Sequence, residues 1–344
     1  MLGVKFSALR MTRKAPTLTA RKTRTPVKKH ARIAATSAVL LVTIAGLGAC
    51  GENEEDLQVT DAANEVREEL AEAEAEFTGE PTTHERTITV AGREREYLVT
   101  TPPDVDDRYN LPLLFVFHGY KMSPQTIRKL TDFDDANAVV VYMKGVDTAW
   151  APAPYAKTTG EEDLEFFDSV RQEMLDTYPV SHARVFAAGH SNGGGFAAFT
   201  ACKRAHQLTG IATVSAAFYD KVYEGCAPIP TKQIDFHGTN DKVINYDGGT
   251  RHGAHYMPNE QVMAEAAKRN YCAPDPEVEP ISRPGEEFIW RHCDAELRHY
   301  RLDGSGHIWP GNDSDNGPGE NTTDNFASKE ILEFFGISGR DDLK

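Results

Sequence analysis

Cysteine is scarce: five in 344 residues, and no two form a C-x-x-C pair. That removes the usual basis for a structural zinc site or a dithiol redox centre. Acidic residues are missing from the first 50 positions, which hold ten Lys or Arg. Basic residues nearly vanish from 51–80, which hold twelve Asp or Glu and one Arg. The apolar run Ile33 to Gly48 falls short of the ~20 residues that a membrane-spanning helix needs. No internal repeat is present, and nothing marks a second globular domain.

These two one-signed segments have a simple reading. A basic stretch ending at Lys28-Lys29-His30-Ala31-Arg32 precedes the apolar run, which closes on Leu47-Gly48-Ala49-Cys50. This is the layout of a secretory signal over residues 1–50. Cysteine directly after small residues suggests a lipoprotein signal with Cys50 lipidated; a plain signal peptide is the alternative. The long basic region allows a translation start at Met11. Residues 51–84 read as an acidic, solvated linker, helical in part because Val66, Leu70, Ala73 and Phe77 recur at helical spacing. The membrane is then a partner only through the lipid anchor. The location is extracytoplasmic, anchored or secreted.

The formal net charge is −15, from 37 basic and 52 acidic residues; removing the ten basic residues of the signal leaves 27 against 52, or −25. Such a balance excludes nucleic acid as a partner. Four cysteines remain, Cys202, Cys226, Cys272 and Cys293. An even count in an exported chain predicts two disulfides, with three pairings open.

What is there is a five-residue motif, Gly189-His190-Ser191-Asn192-Gly193, between the apolar run Ala183–Ala188 and a helix of small residues. Strand, sharp turn and helix with G-x-S-x-G across the turn is the nucleophile elbow of α/β-hydrolases. Ser191 then needs a base and an acid downstream, on loops after later strands. Ile234-Asp235-Phe236 reads as a short strand, and Asp241 lies on the loop leaving it. Asp235 competes for the acid role but lies inside the strand. Glu296 to Leu302 alternates like a strand, and His307 follows on the loop Asp303-Gly304-Ser305-Gly306-His307. The catalytic set is therefore Ser191, Asp241 and His307. The oxyanion amides are assigned to Asn192, after the nucleophile, and to Tyr120, at the end of the apolar run Leu111–Phe117 followed by His118-Gly119. His118, His190 and His237 each flank a glycine at a strand end; they read as supports or lining of the site, with no metal. Trp309, two positions after His307, and Trp150 are expected to wall the substrate pocket with His118 and His190. No cofactor is expected.

The set His118-Gly119-Tyr120, Gly189 to Gly194, His237-Gly238-Thr239-Asn240-Asp241 and Gly306-His307-Ile308-Trp309-Pro310 resembles the polyhydroxybutyrate depolymerase-like esterases, which include bacterial feruloyl and acetylxylan esterases. The resemblance covers roughly residues 85–337. It implies an α/β-hydrolase fold, secretion and serine carboxylesterase activity, with Ser191 as nucleophile, Asp241 as acid and His307 as base. It also implies the pairings Cys202–Cys226 and Cys272–Cys293, each of which closes a local loop. The chain departs from the family at Met143-Lys144-Gly145, where a proline usually precedes the glycine, and in the short alanine- and proline-rich segment after Trp150.

A catalytic domain is thus expected over 85–340. An antiparallel hairpin (Thr87–Val90, Glu96–Val99) should open a mostly parallel sheet with helices on both faces. Further strands are expected at 111–117, 138–142, 183–188, 211–215, 232–236 and 296–302. Helices are expected near 124–136, 160–178, 193–206, 258–270 and 324–335. The expected activity is ester hydrolysis through an acyl-enzyme, on polyhydroxyalkanoate oligomers or on feruloyl or acetyl esters. The alternatives are acyl transfer with the same three residues, or a non-catalytic surface lipoprotein that binds a ligand.

Overall fold

The computed structural model describes residues 79–312 and 324–339. The signal segment, Cys50 and nearly all of the acidic stretch lie outside the described residues.

Ten strands form one sheet in the order β1-β2-β4-β3-β5-β6-β7-β12-β11-β10. The strands are β1 (Thr82–Val90), β2 (Arg93–Thr101), β3 (Leu111–Phe117), β4 (Val139–Met143), β5 (Val180–His190), β6 (Gly210–Val214), β7 (Lys232–Gly238), β10 (Glu277–Pro280), β11 (Gly285–Trp290) and β12 (Leu297–Leu302). Strands β8 (Gly249–Arg251) and β9 (Ala254–Tyr256) pair separately as a small hairpin. Six neighbouring strands, β4-β3-β5-β6-β7-β12, run parallel. Antiparallel strands flank them on both sides.

The β1–β2 hairpin turns at Ala91 and Gly92, both at positive φ (48° and 79°). That is the primed two-residue turn whose twist matches paired strands. The hairpin begins at Thr82, inside the stretch that composition alone assigns to the linker. His84 and Glu85 mask it as soluble spacer, because β1 is a mostly exposed edge.

The central strands are buried on both faces, so they read as continuous apolar runs rather than alternating ones. Leu113, Phe115 and Phe117 of β3 face one core, whereas Leu114 and Val116 face the other. Helices α2 (Gly160–Thr177), α3 (Asn192–Arg204) and α4 (Asn259–Arg269) cover the first face; α1 (Pro124–Thr131) and α5 (Phe326–Phe335) cover the second. This is the arrangement of an α/β-hydrolase. Helix α2 starts at a reciprocal cap, in which Thr159 Oγ1 accepts from Glu162 N and the Glu162 carboxylate accepts from Thr159 N. Its Leu164, Phe167, Val170 and Met174 form the buried stripe that the spacing predicts.

Strands β8, β9, β10 and β11 leave no readable pattern in the sequence. Glu277–Pro280 is exposed throughout and short, an edge strand ending in proline. Disulfides join Cys202 to Cys226 and Cys272 to Cys293. The second ties the end of α4 to the turn after β11.

Candidate active site

Strand β5 ends at His190 and α3 begins at Asn192, so Ser191 is the whole turn. It sits at φ 54°, ψ −118°, a conformation that costs ~1–3 kcal/mol and persists only where surroundings enforce it. Enforcement is visible on each side. Ser191 N donates to Val214 O (2.8 Å), and Ser191 O accepts from Gly195 N (3.1 Å) and Ala217 N (3.0 Å). A Cβ at Gly189 would collide with the backbone of Gly193, and one at Gly193 would collide with the backbone of Phe117. The motif glycines therefore answer to close approach of strand and helix, not to their own φ.

Asp241 follows β7 and is 1% exposed. Its Oδ1 accepts from Val243 N (2.7 Å) and Ile244 N (2.8 Å). Its Oδ2 accepts from His307 Nδ1 (2.7 Å), with His237 Nε2 at 3.4 Å. Burial alone would raise the Asp241 pKa, but the hydrogen bonds from His237 and His307 outweigh it and hold the carboxyl well below the usual range. An ionised carboxylate on Nδ1 fixes the proton there and leaves His307 Nε2 as the accepting nitrogen.

The loops that carry the two residues are lashed together. Thr239 N donates to Leu302 O, Asn240 N to Ser305 O (2.9 Å), and Gly304 N to Thr239 Oγ1 (2.9 Å). Ser215 Oγ donates to Ile308 O (3.1 Å), tying the same loop to the end of β6. The His307 ring lies 5.0 Å, centre to centre, from that of His190, the chain neighbour of Ser191. Strand ends β5, β7 and β12 thus bring Ser191, Asp241 and His307 to one region.

Asp235 lies elsewhere. It is fully buried inside β7 and bonds His299 Nδ1 (2.9 Å), Asn259 Nδ2 (3.0 Å) and the Thr213 hydroxyl. Tyr246 Oη is 2.9 Å from His299 Nε2.

Gly119 lies against the elbow: a Cβ there would be 3.4 Å from Ser191 Cβ. The turn's own hydrogen bonds use the amides of Lys121, to Thr148 O (3.0 Å), and Met122, to Gly119 O (3.1 Å). The Tyr120 amide is not consumed by them. Asn192 occupies the first helical position, where amides lack intrahelical acceptors.

His118 is fully buried and works as a pin. Its Nε2 accepts from Gly145 N (3.0 Å), so its Nδ1 carries the proton and donates to Gly119 O (2.8 Å). Burial lowers its pKa to about 4, keeping it neutral. Asn192 completes the bracing: its Oδ1 accepts from Trp150 N (2.8 Å) and its Nδ2 donates to Trp150 O (3.0 Å).

Three pocket assignments need correction. Trp150 is fully buried, stacks on Phe196 with centroids 4.8 Å apart, and donates its Nε1 to His118 O (3.1 Å). Trp309 is fully buried against Phe133, its Nε1 on Ser328 Oγ (3.0 Å). Both are packing residues beneath the site, as is His118. Proximity to a site residue in sequence does not tell which side of the sheet edge a side chain takes.

His190 is 4% exposed, with neither ring nitrogen hydrogen-bonded among the described residues. Burial, reinforced by His307, lowers its pKa to about 3. For His237, burial would lower the pKa, but Asp241 and Asp235 outweigh it and raise it. His118 bonds Gly119 and Gly145, His237 lies against Ile244 O and Asp241, and His190 packs on the rings of His307 and Trp309.

The residues that do reach the rim were missed, except Tyr120. Tyr120 and Tyr155 pack at 4.1 Å, and His252, at the tip of the β8–β9 hairpin, meets Tyr155 at 4.7 Å and Tyr120 at 5.9 Å. Only their shared placement on loops after β3, β4 and β7 could have grouped them.

No protein-family model matches the chain. It is 26% identical over 282 residues to feruloyl esterase D of Neurospora crassa, spanning 72% of this chain and 84% of that enzyme. It is 28% identical over 176 residues to a probable feruloyl esterase C of Aspergillus niger, spanning 48% of this chain and 62% of that one. Among solved structures, acetyl xylan esterase from Aspergillus awamori superposes with a TM-score of 0.52 at 14% identity, covering 74% of this chain and 99% of that one.

Proposed function

We infer that this chain, a feruloyl esterase-like α/β-hydrolase, hydrolyses carboxylic esters with Ser191 as nucleophile. The observation that carries the reading is the part-buried Asp241–His307 hydrogen bond of 2.7 Å beside the strained Ser191 turn. In the proposed reaction His307 Nε2 takes the Ser191 proton as the hydroxyl oxygen attacks the ester carbonyl carbon. The amides of Asn192 and Tyr120 donate to the developing oxyanion; one such donor is typically worth ~3–4 kcal/mol at the transition state. The C–O bond to the alcohol then breaks, the alcohol leaves with the proton from His307, and an acyl-Ser191 ester remains. Water, deprotonated by His307, resolves it.

Feruloyl and acetyl esters are the substrate class we propose, by likeness to the feruloyl esterases above. Export fits the two disulfides, which belong to an oxidising compartment. We further propose lipid anchoring at Cys50, with an acidic spacer leading to the catalytic domain. Ser191→Ala should abolish hydrolysis of p-nitrophenyl acetate and labelling by a fluorophosphonate probe while circular dichroism stays unchanged. Retained turnover in that variant would refute the nucleophile.

A further inference from the structure

We propose that Tyr120, Lys121, Tyr155, Arg251 and His252 form a rim subsite for an aromatic group of the ester that carries negative charge. The proposal rests on the esterase reading and adds what that reading leaves open, the charge of the preferred substrate.

Three loops build the rim. Tyr120 and Lys121 follow Gly119, whose added Cβ would stand 3.4 Å from that of Ser191, so the rim begins within a residue or two of the reacting centre. Tyr155 comes from the segment after β4, and Arg251 and His252 from the β8–β9 hairpin. That hairpin is fastened to the loop after β6: Tyr219 bridges Tyr256, Met257 N donates to Phe218 O (3.0 Å), and His255 Nδ1 pairs with Asp220 (2.7 Å). The turn His252-Gly253, at φ 52° and 77°, holds the imidazole at the tip, exposed on one side and against Tyr155 on the other.

The charge sits beside these rings. The chain has a formal net charge of −15, and several of its cations are paired with acids, as with Arg128–Asp134, Arg204–Asp168 and Arg298–Glu296. Among the described residues neither Lys121 nor Arg251 forms an ion pair. Lys121 Nζ stands 5.2 Å from the Tyr120 ring centre. Both cations lie near enough to His252 to help burial lower its pKa, which keeps a neutral imidazole available for stacking. Of the acids on the same loops, Asp220 pairs with His255, and Asp147, on the turn whose Thr148 O accepts from Lys121 N, forms no ion pair with either cation.

Aromatic faces accept any flat ligand. Two unpaired cations beside them repel a cationic one and favour an anionic one. A neutral aromatic ester gains the stacking alone; one bearing a carboxylate gains both.

Two pairs of near-isosteric esters separate charge from shape. Monomethyl terephthalate against methyl 4-carbamoylbenzoate puts the charge on the acyl side. 4-Acetoxybenzoate against 4-acetoxybenzamide puts it on the alcohol side. Exposed charges contribute severalfold each, so kcat/KM for the charged member should exceed that for the neutral member by about tenfold in one arm. The ratio should fall to about one in Lys121→Gln/Arg251→Gln, survive in Lys121→Arg/Arg251→Lys, and shrink with added salt. A ratio near one in both arms, or one unchanged in the Gln double variant, overturns the rim assignment while p-nitrophenyl acetate is still turned over. Absence of turnover with every ester overturns the reading beneath it.

Discussion

Replacing Asp241 by Asn is the sharpest single-atom perturbation of this site. The carboxylate is met by donors on both oxygens: Val243 N and Ile244 N on Oδ1, His307 Nδ1 on Oδ2, with His237 Nε2 alongside. An amide has one acceptor oxygen, so one side must present NH2. If the oxygen stays with the two backbone amides, the NH2 faces His307 Nδ1. The imidazole then accepts at Nδ1 and carries its proton on Nε2, where it can no longer receive one from Ser191. If the amide flips, its NH2 opposes two buried backbone N–H groups, and the loop loses stability by ~1–3 kcal/mol. The first arrangement conflicts with fewer donors. Holding a catalytic imidazole in the wrong tautomer lowers kcat by about 10⁴, or ~5 kcal/mol of barrier. The assay is kcat for p-nitrophenyl acetate at neutral pH, with KM and thermal midpoint measured alongside. The expected result is a loss of three to four orders of magnitude in kcat, with KM within about threefold. A variant within tenfold of the parent would refute the reasoning. Asp235→Asn is the companion: Asp235 bonds His299 rather than His307, so its loss should appear in stability before it appears in kcat.

Two other outcomes are expected. Burial lowers the His190 pKa to about 3, so the folded protein keeps it neutral while the unfolded chain protonates it below ~6.5. Its contribution is fully present above that value and is lost as pH falls; between pH 6.5 and 5 this amounts to about 2 kcal/mol. Urea midpoints at the two pH values should show that loss in the parent and less of it in His190→Gln; equal slopes would remove His190 as the cause. For the anchor, Cys50→Ser should move the protein from the membrane fraction to the medium of the expressing bacterium, and unchanged partition would exclude lipidation at Cys50.

Sequence reading went furthest where one backbone requirement left one residue type. The elbow glycines and the positive-φ serine admit few alternatives, and apolar runs such as Leu111–Phe117 can only be strands buried on both faces. The hairpin turn Ala91-Gly92 was readable for the same reason. Reading failed at exposed edges. Glu277–Pro280 carries no apolar pattern because neither face packs on a core. It failed again on the orientation of single side chains. Trp150 and Trp309 follow loop residues of the site, yet each turns into the core to place its ring. The rim of Tyr155, Arg251 and His252 left no periodic trace, since its members come from loops that only the folded sheet brings together.

The hydrogen bonds joining the ends of β7 and β12 have a further consequence. They hold Asp241 and His307 together, although more than sixty residues of chain separate them. The segment threaded between these anchor points is closed by this clasp, and its β8–β9 hairpin is held a second time by the loop after β6. Under the proposed reading, a hairpin of other composition grafted there should change which esters are taken while the Asp241–His307 bond stays in place.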